Sequence, residues 1–122
     1  MSCSRTPLPF AANAPLLARR AAAAFAVTAD LDGQSDAVMI IASELVANAF
    51  VHGRSPIELV LDDDDGHITI GVHDGGSIPE RIRQRTPDRA GGRGLQIVNA
   101  LADTCVSERT ADGVRVRATL RK

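Results

Sequence analysis

The sequence predicts an α+β two-layer sandwich in which a mixed, mostly antiparallel sheet of about five strands carries about three helices on one face. Three observations lead there. Two strongly apolar stretches with helical spacing occupy the first half of the chain, two alternating runs meet around an acidic turn near its middle, and a short helix with two further strands closes it. Each helix has an apolar face to keep from water, and one sheet covered on one side is the economical way to bury all three. A chain of 122 residues has room for one core, so 1–122 is expected to form a single domain.

Taken in order, residues 4–10 can form a short strand. Asn13 stands where an N-cap is needed and Pro15 near the first helical position, where its missing N–H costs nothing, so a helix should run to about Val27. Gly33 and Ser35 then interrupt the chain. Residues 36–51 read as a long helix, largely buried through Ile40, Ile41, Leu45, Val46 and Val51, with Gly53 in the place of a left-handed cap. Residues 57–61 and 67–72 form a hairpin whose acidic tip, Asp62 to Asp65 before Gly66, reads as a solvated turn. Between 75 and 94 the apolar periodicity stops. Glycines, Pro79, Pro87 and the arginines at 81, 83, 85, 89 and 93 mark a long loop, and long loops in compact domains are usually functional. Residues 95–101 restore a short helix, 104–109 a strand, and 114–120 a final strand after a turn at Asp112 and Gly113.

Composition excludes several classes of function. The formal charge is −1 with acids and bases intermixed, so the footprint of a direct nucleic-acid or membrane binder is missing. Phe10, Phe25 and Phe50 are the only aromatic residues, which argues against base-stacking platforms. Cys3 and Cys105 fit no metal-ligand pattern, and a reduced cytoplasmic setting is the plain reading. The apolar segment 21–27 is too short to cross a bilayer.

The chemistry concentrates in three places. Glu44, Asn48 and His52 lie four residues apart on the long helix, so a carboxylate, an amide and an imidazole form one row down its flank. An unpaired buried amide costs about 1 to 3 kcal/mol, so a polar partner should face that row. Asp74-Gly75-Gly76 ends a strand, and Gly91-Gly92-Arg93-Gly94-Leu95 enters a helix. A Walker loop needs Gly-Lys-Ser/Thr, which is absent, and a dinucleotide fingerprint needs a third glycine where Ile97 stands. What remains is a glycine-lined helix N-terminus, whose exposed amides and dipole favour an anion.

In this order the three elements resemble the nucleotide-binding fold shared by histidine kinases, type II topoisomerases, heat-shock chaperones and mismatch-repair ATPases, the Bergerat or histidine-kinase-like ATPase fold. Residues 44–52 look like its N box, Asp74-Gly75-Gly76 like its first glycine box, and Gly91 to Leu95 like its second. The run Ser43-Glu44-Leu45-Val46-Ala47-Asn48-Ala49, followed by His52-Gly53, the short loop and Gly91-Gly92-Arg93-Gly94-Leu95 before Ile97-Val98, most resembles the stand-alone anti-sigma-factor serine/threonine kinases of bacteria.

The resemblance covers nearly the whole chain and implies ATP and Mg2+ as cofactors, with an ATP lid at about 75–94. Asn48 would bind Mg2+ bridging the phosphates, and Glu44 would orient or deprotonate the attacking hydroxyl or water. Asp74 would accept a hydrogen bond from the adenine amino group, with Gly76 letting the base lie close. Gly92 and Gly94 would present amides to the phosphates, Arg93 would offset their charge, and Gly91 and Leu95 belong to the same binding set. Ile78 stands where the family often has another glycine and would stiffen the lid hinge. His52 would touch the ligand or cap its helix. The implied function is a Mg-ATP-binding serine/threonine protein kinase and anti-sigma factor in partner switching, binding a sigma factor in one state and phosphorylating an anti-sigma antagonist in another. Association into a homodimer is compatible with it. The alternative is a catalytically weak or inactive ATP-binding adaptor. Ile78, and Arg115 and Arg117 where the family's last strand commonly carries threonine and tryptophan, keep that alternative open.

Overall fold

The computed structural model describes residues 2–64, 66–76 and 93–122. In chain order these form β1 (Ser2–Leu8), α1 (Ala14–Thr28), α2 (Ser35–His52), β2 (Ile57–Asp63), β3 (His67–Asp74), α3 (Arg93–Leu101), β4 (Thr104–Thr110) and β5 (Gly113–Arg121). The sheet order is β1-β2-β3-β5-β4. Every neighbouring pair is antiparallel, so the parallel component allowed by a mixed sheet is absent from the described strands.

Strand parity decides which face the helices cover. Leu59, Val72 and Val116 stand in register across β2, β3 and β5, as do Leu61, Ile70 and Ala118, and all six are buried. The intervening row, Val60, Gly71 and Arg117, belongs to the opposite face. Helix α1 buries Ala14, Ala18, Ala22 and Ala26 beside Phe25, and small side chains at that spacing let a neighbouring helix approach closely. Helix α2 buries Val38, Ile41, Ala42, Leu45, Val46 and Ala49. Each large aliphatic side chain so buried contributes about 1.5 to 3 kcal/mol. By length and composition α2 is apolar enough to cross a bilayer, a property that segment 21–27 lacks. Here its apolar surface is packed against α1, α3 and β3 instead.

Several local expectations change. The first strand ends at Leu8, and Phe10 lies beyond it with its ring 5.1 Å from that of Phe50. Asn13 occupies the N-cap position of α1 without a side-chain cap bond; its carbonyl accepts from Leu17 N at 3.1 Å. Val51 is exposed rather than buried. Gly53 is not left-handed, with φ −101° and ψ −159°, an extended conformation open to any residue. The left-handed glycine of this region is Gly33, at φ 80° in the α1–α2 connection, where a side chain would be strained.

The acidic tip is also more than a solvated turn. Strand β2 continues to Asp63, and the alternation that buries Leu59 and Leu61 turns that carboxylate inward, where it pairs with the Lys122 ammonium. Asp64 shapes the turn itself. Its Oδ1 accepts from Gly66 N at 3.1 Å and His67 N at 3.0 Å, and these bonds lower its pKa. Cys3 and Cys105 are free thiols on β1 and β4, the two edge strands of the sheet, and burial pushes the Cys105 thiol up.

One prediction tests the layering. Ile70→Ala removes a side chain fully buried between sheet and helices and should destabilise the protein by about 2 to 5 kcal/mol in urea denaturation. Val27→Ala, at a position 82% exposed, should change stability by less than about 0.5 kcal/mol. Equal losses at the two positions would contradict the assignment of the covered face.

Candidate functional site

The row on α2 lies along the margin of its buried stripe rather than inside it. Glu44, Asn48 and His52 are all half-buried, each adjoining a fully buried position or the helix end. The margin explains how three polar groups are tolerated on so apolar a helix. Glu44 and Asn48 lie a turn apart with Leu45 and Ala49 beside them in the core. Asn48 carries the one uncompensated atom among the described side chains: its Oδ1 is buried with no hydrogen-bond partner. Such an orphan costs about 1 to 3 kcal/mol, and an amide oxygen is a suitable ligand for a hard cation. Among the described residues no cluster of three or more His, Cys, Asp or Glu side chains could hold an ion. His52 is the last residue of α2, where a cationic imidazole would complement the helix dipole.

Asp74 is the second component. It ends β3, and alternation along that strand turns it to the covered face after Ile68, Ile70 and Val72. Its side chain is 1% exposed, and its Oδ1 accepts from Gly76 N at 2.6 Å. The chain leaves the strand at once, because Gly75 N donates to Arg54 O at 2.8 Å and Pro56 O at 3.2 Å, across the loop with the cis Ser55–Pro56 peptide. Glycines crowd this carboxylate. A Cβ on Gly53 would lie 2.5 Å from Asp74 Cγ and 2.6 Å from its Oδ2. One on Gly76 would overlap Asp74 Oδ1, one on Gly75 would lie 2.5 Å from Ser55 O, and one on Gly113 would overlap the Asp74 carbonyl oxygen. The structure thus joins the end of the polar helix to the first glycine element at Asp74. Sequence reasoning passed over Gly53 and Gly113, taking one for a cap and the other for a turn. The available signal was Gly53 directly following His52 in the polar row.

Helix α3 begins within the second glycine element, so Arg93, Gly94 and Leu95 form its first turn, where backbone N–H groups lack partners inside the helix. Leu95 is half-buried against the core and Val98 fully buried, which anchors that turn against α2. Ile78, Gly91 and Gly92 lie outside the described residues, as does the lid between 77 and 92. The last strand corrects one expectation. Arg115 and Arg117 are exposed on the face opposite Asp74, where both pair with Glu108, at 3.5 Å and 3.0 Å. The residues of β5 on the side of Asp74 are Val114, in register with it, and Val116. The position beside Asp74 on β5 is therefore apolar, and neither arginine lies on its side of the sheet.

With this geometry in place, residues 10–120 match the family model of the histidine kinase-like ATPase domain. No curated protein is similar enough in sequence to count as a relative.

The orphan amide oxygen makes a prediction of its own. Asn48→Leu removes an unpartnered buried acceptor and should leave the nucleotide-free protein as stable as the parent within about 1 kcal/mol, or more stable. A loss above about 2 kcal/mol in urea denaturation would show that the amide is held by the fold itself.

Proposed function

The chain belongs to the histidine kinase-like ATPase domain family, and from that premise we propose that it is a Mg-ATP-dependent serine/threonine protein kinase that also acts as an anti-sigma factor. The observation that carries this reading is the pairing of Glu44 with Asn48 on one helix margin, the amide oxygen of Asn48 buried and unpartnered. Asn48 Oδ1 would hold Mg2+, which when bound neutralises charge on the phosphates. Asp74 would accept a hydrogen bond from the adenine amino group, supported by its burial and the amide of Gly76. The N–H groups in the first turn of α3 would receive phosphate oxygens. Arg93, adjoining them in sequence, brings a guanidinium suited to phosphate.

Glu44 would then act on the acceptor. As a carboxylate one turn before the metal ligand it takes the proton of an incoming serine or threonine hydroxyl; the hydroxyl oxygen bonds to the γ-phosphorus, and ADP departs with the electrons of the broken bond. The protein acceptor is an anti-sigma antagonist in this reading, and the partner held in the other state is a sigma factor. The setting is the cytoplasm, and a homodimer is compatible with it. Partner identity rests on the likeness of the Glu44 to Gly53 run and the Gly91 to Val98 run to stand-alone kinases of that kind.

A second reading has one observation in its favour. The side of β5 facing Asp74 is apolar, so the family's threonine contact is missing and nucleotide would be held with less polar definition. The chain would then be an ATP-binding adaptor whose nucleotide state controls partner affinity without phosphoryl transfer. Labelled ATP and a candidate antagonist separate the two, since transferred label requires the kinase and nucleotide-dependent complex formation without label requires the adaptor.

The roles of the two α2 residues are separable. Glu44→Ala should keep ATP affinity, measured by calorimetry, while lowering phosphoryl transfer by about 100-fold or more. Asn48→Ala should weaken Mg-ATP binding itself. Wild-type transfer in both variants would rule out this assignment, and absence of any nucleotide binding by the parent protein, with or without Mg2+, would rule out the proposal.

A further inference from the structure

The glycines around Asp74 differ in what they are for. Gly75 and Gly76 belong to the loop that leaves the strand, but Gly53 comes from the end of α2 and Gly113 from the turn into β5. Neither is there for a left-handed backbone. Gly53 has φ −101°, and the positive-φ glycine among the described residues is Gly33. Contact is what forbids a side chain. A Cβ on Gly53 would sit 2.5 Å from Asp74 Cγ, 2.6 Å from Asp74 Oδ2 and 2.6 Å from Ala49 O, while one on Gly113 would overlap Asp74 O and lie 3.0 Å from Gly75 Cα. Real carbon atoms do not approach so closely, so an addition at position 53 must move the carboxylate and the last turn of α2 that carries the Ala49 carbonyl, and one at position 113 must move the end of the strand at Asp74.

We infer that Gly53 and Gly113 are positioning residues for recognition of the base: Gly53 fixes where the Asp74 carboxylate points and Gly113 fixes the main chain beneath it. The inference rests on the reading of Asp74 as acceptor for the adenine amino group. Asp74 is confined from three directions: the Gly76 amide bonds Oδ1, Gly53 lies where an added Cβ would fall on Cγ and Oδ2, and Gly113 lies where one would fall on the main-chain carbonyl. A methyl group at position 53 meets the carboxylate and the Ala49 carbonyl, and neither Asn48, Glu44 nor the first turn of α3 supplies any of its three nearest atoms. Base selectivity should therefore fall while the phosphate interactions survive. A glycine needed only for helix termination would lose stability and affinity for all nucleotides alike.

The test compares ATP with inosine triphosphate, in which a carbonyl oxygen replaces the 6-amino group, using calorimetry on the full chain with Mg2+. The wild-type protein should prefer ATP. Gly53→Ala and Gly113→Ala should each reduce the ATP-to-ITP affinity ratio by roughly 10- to 100-fold, approaching the ratio of Asp74→Ala, with ITP affinity unchanged within about twofold. In the double variant Asp74→Ala/Gly53→Ala, ATP affinity should equal that of Asp74→Ala alone, because the carboxylate through which Gly53 acts is gone. Retention of the wild-type ratio in both glycine variants overturns the inference, as does an equal loss of ATP and ITP or an additive double variant. Should Gly53→Ala not melt cooperatively, Gly113→Ala carries the test: a reduced ATP-to-ITP ratio supports the inference and a wild-type ratio overturns it. A wild-type protein that binds both nucleotides equally removes the reading of Asp74 itself, a result distinct from any seen only in the glycine variants.

Discussion

The burial of one carboxylate governs how the parts of this molecule meet. Asp74 is 1% exposed at the end of a central strand, and a carboxylate taken from water costs several kcal/mol unless dipoles or charges replace the lost hydration. The Gly76 amide at 2.6 Å supplies part of that replacement. Backbone also comes close to Asp74 where a side chain would not fit. Hence three segments far apart in sequence, the end of α2, the loop after β3 and the turn before β5, all place glycine against the same residue. Sheet order makes this convergence achievable. With β3 between β2 and β5, the loop 53–56 preceding β2 and the turn preceding β5 both arrive at the same end of β3.

Much of the architecture was legible because period and punctuation agree. The acidic run at 62–65 separates two alternating segments, Asp112-Gly113 separates two more, and the helical spacing of Val38, Ile41, Ala42, Leu45, Val46 and Ala49 survives as the buried stripe of α2. What escaped sequence reasoning depends on the third dimension. Asp63 looks like one of four equivalent tip residues until β2 is known to continue through it, whereupon parity buries it against Lys122, a residue almost half the chain away. Gly53 looks like a helix stop because glycine commonly ends helices through a left-handed turn. Its actual reason is a neighbour twenty-one residues later. Arg115 fails for the same cause, since a shift of one position along a strand exchanges the two faces of a sheet.

The alignment of the candidate site's polar row was legible in the sequence, and its depth was not. Spacing alone aligned Glu44, Asn48 and His52, but spacing does not say how far into the core a helical row lies. The row runs beside the stripe that α1, α3 and the sheet bury, so its members are half-covered. That intermediate depth suits the chemistry. Under the proposed roles, a fully buried glutamate could not reach an acceptor from outside, and a fully exposed asparagine would spend its oxygen on water rather than on a cation.

Helix α2 therefore serves two demands that pull against each other. Its apolar stripe holds α1, α3 and the sheet together, while its margin carries an amide oxygen that the fold leaves without a partner. An unmatched acceptor subtracts from folding stability, and a ligand that matches it returns that free energy only when bound. Binding to the native state at one hundred times the dissociation constant adds about 2.7 kcal/mol of stability by mass action alone. Because Gly53 ends the same helix against Asp74, a ligand engaging both Asn48 and Asp74 would tie the helix margin to the sheet. Under the proposed roles, the helix that builds the core would also be the element through which ligand binding is felt by the rest of the domain.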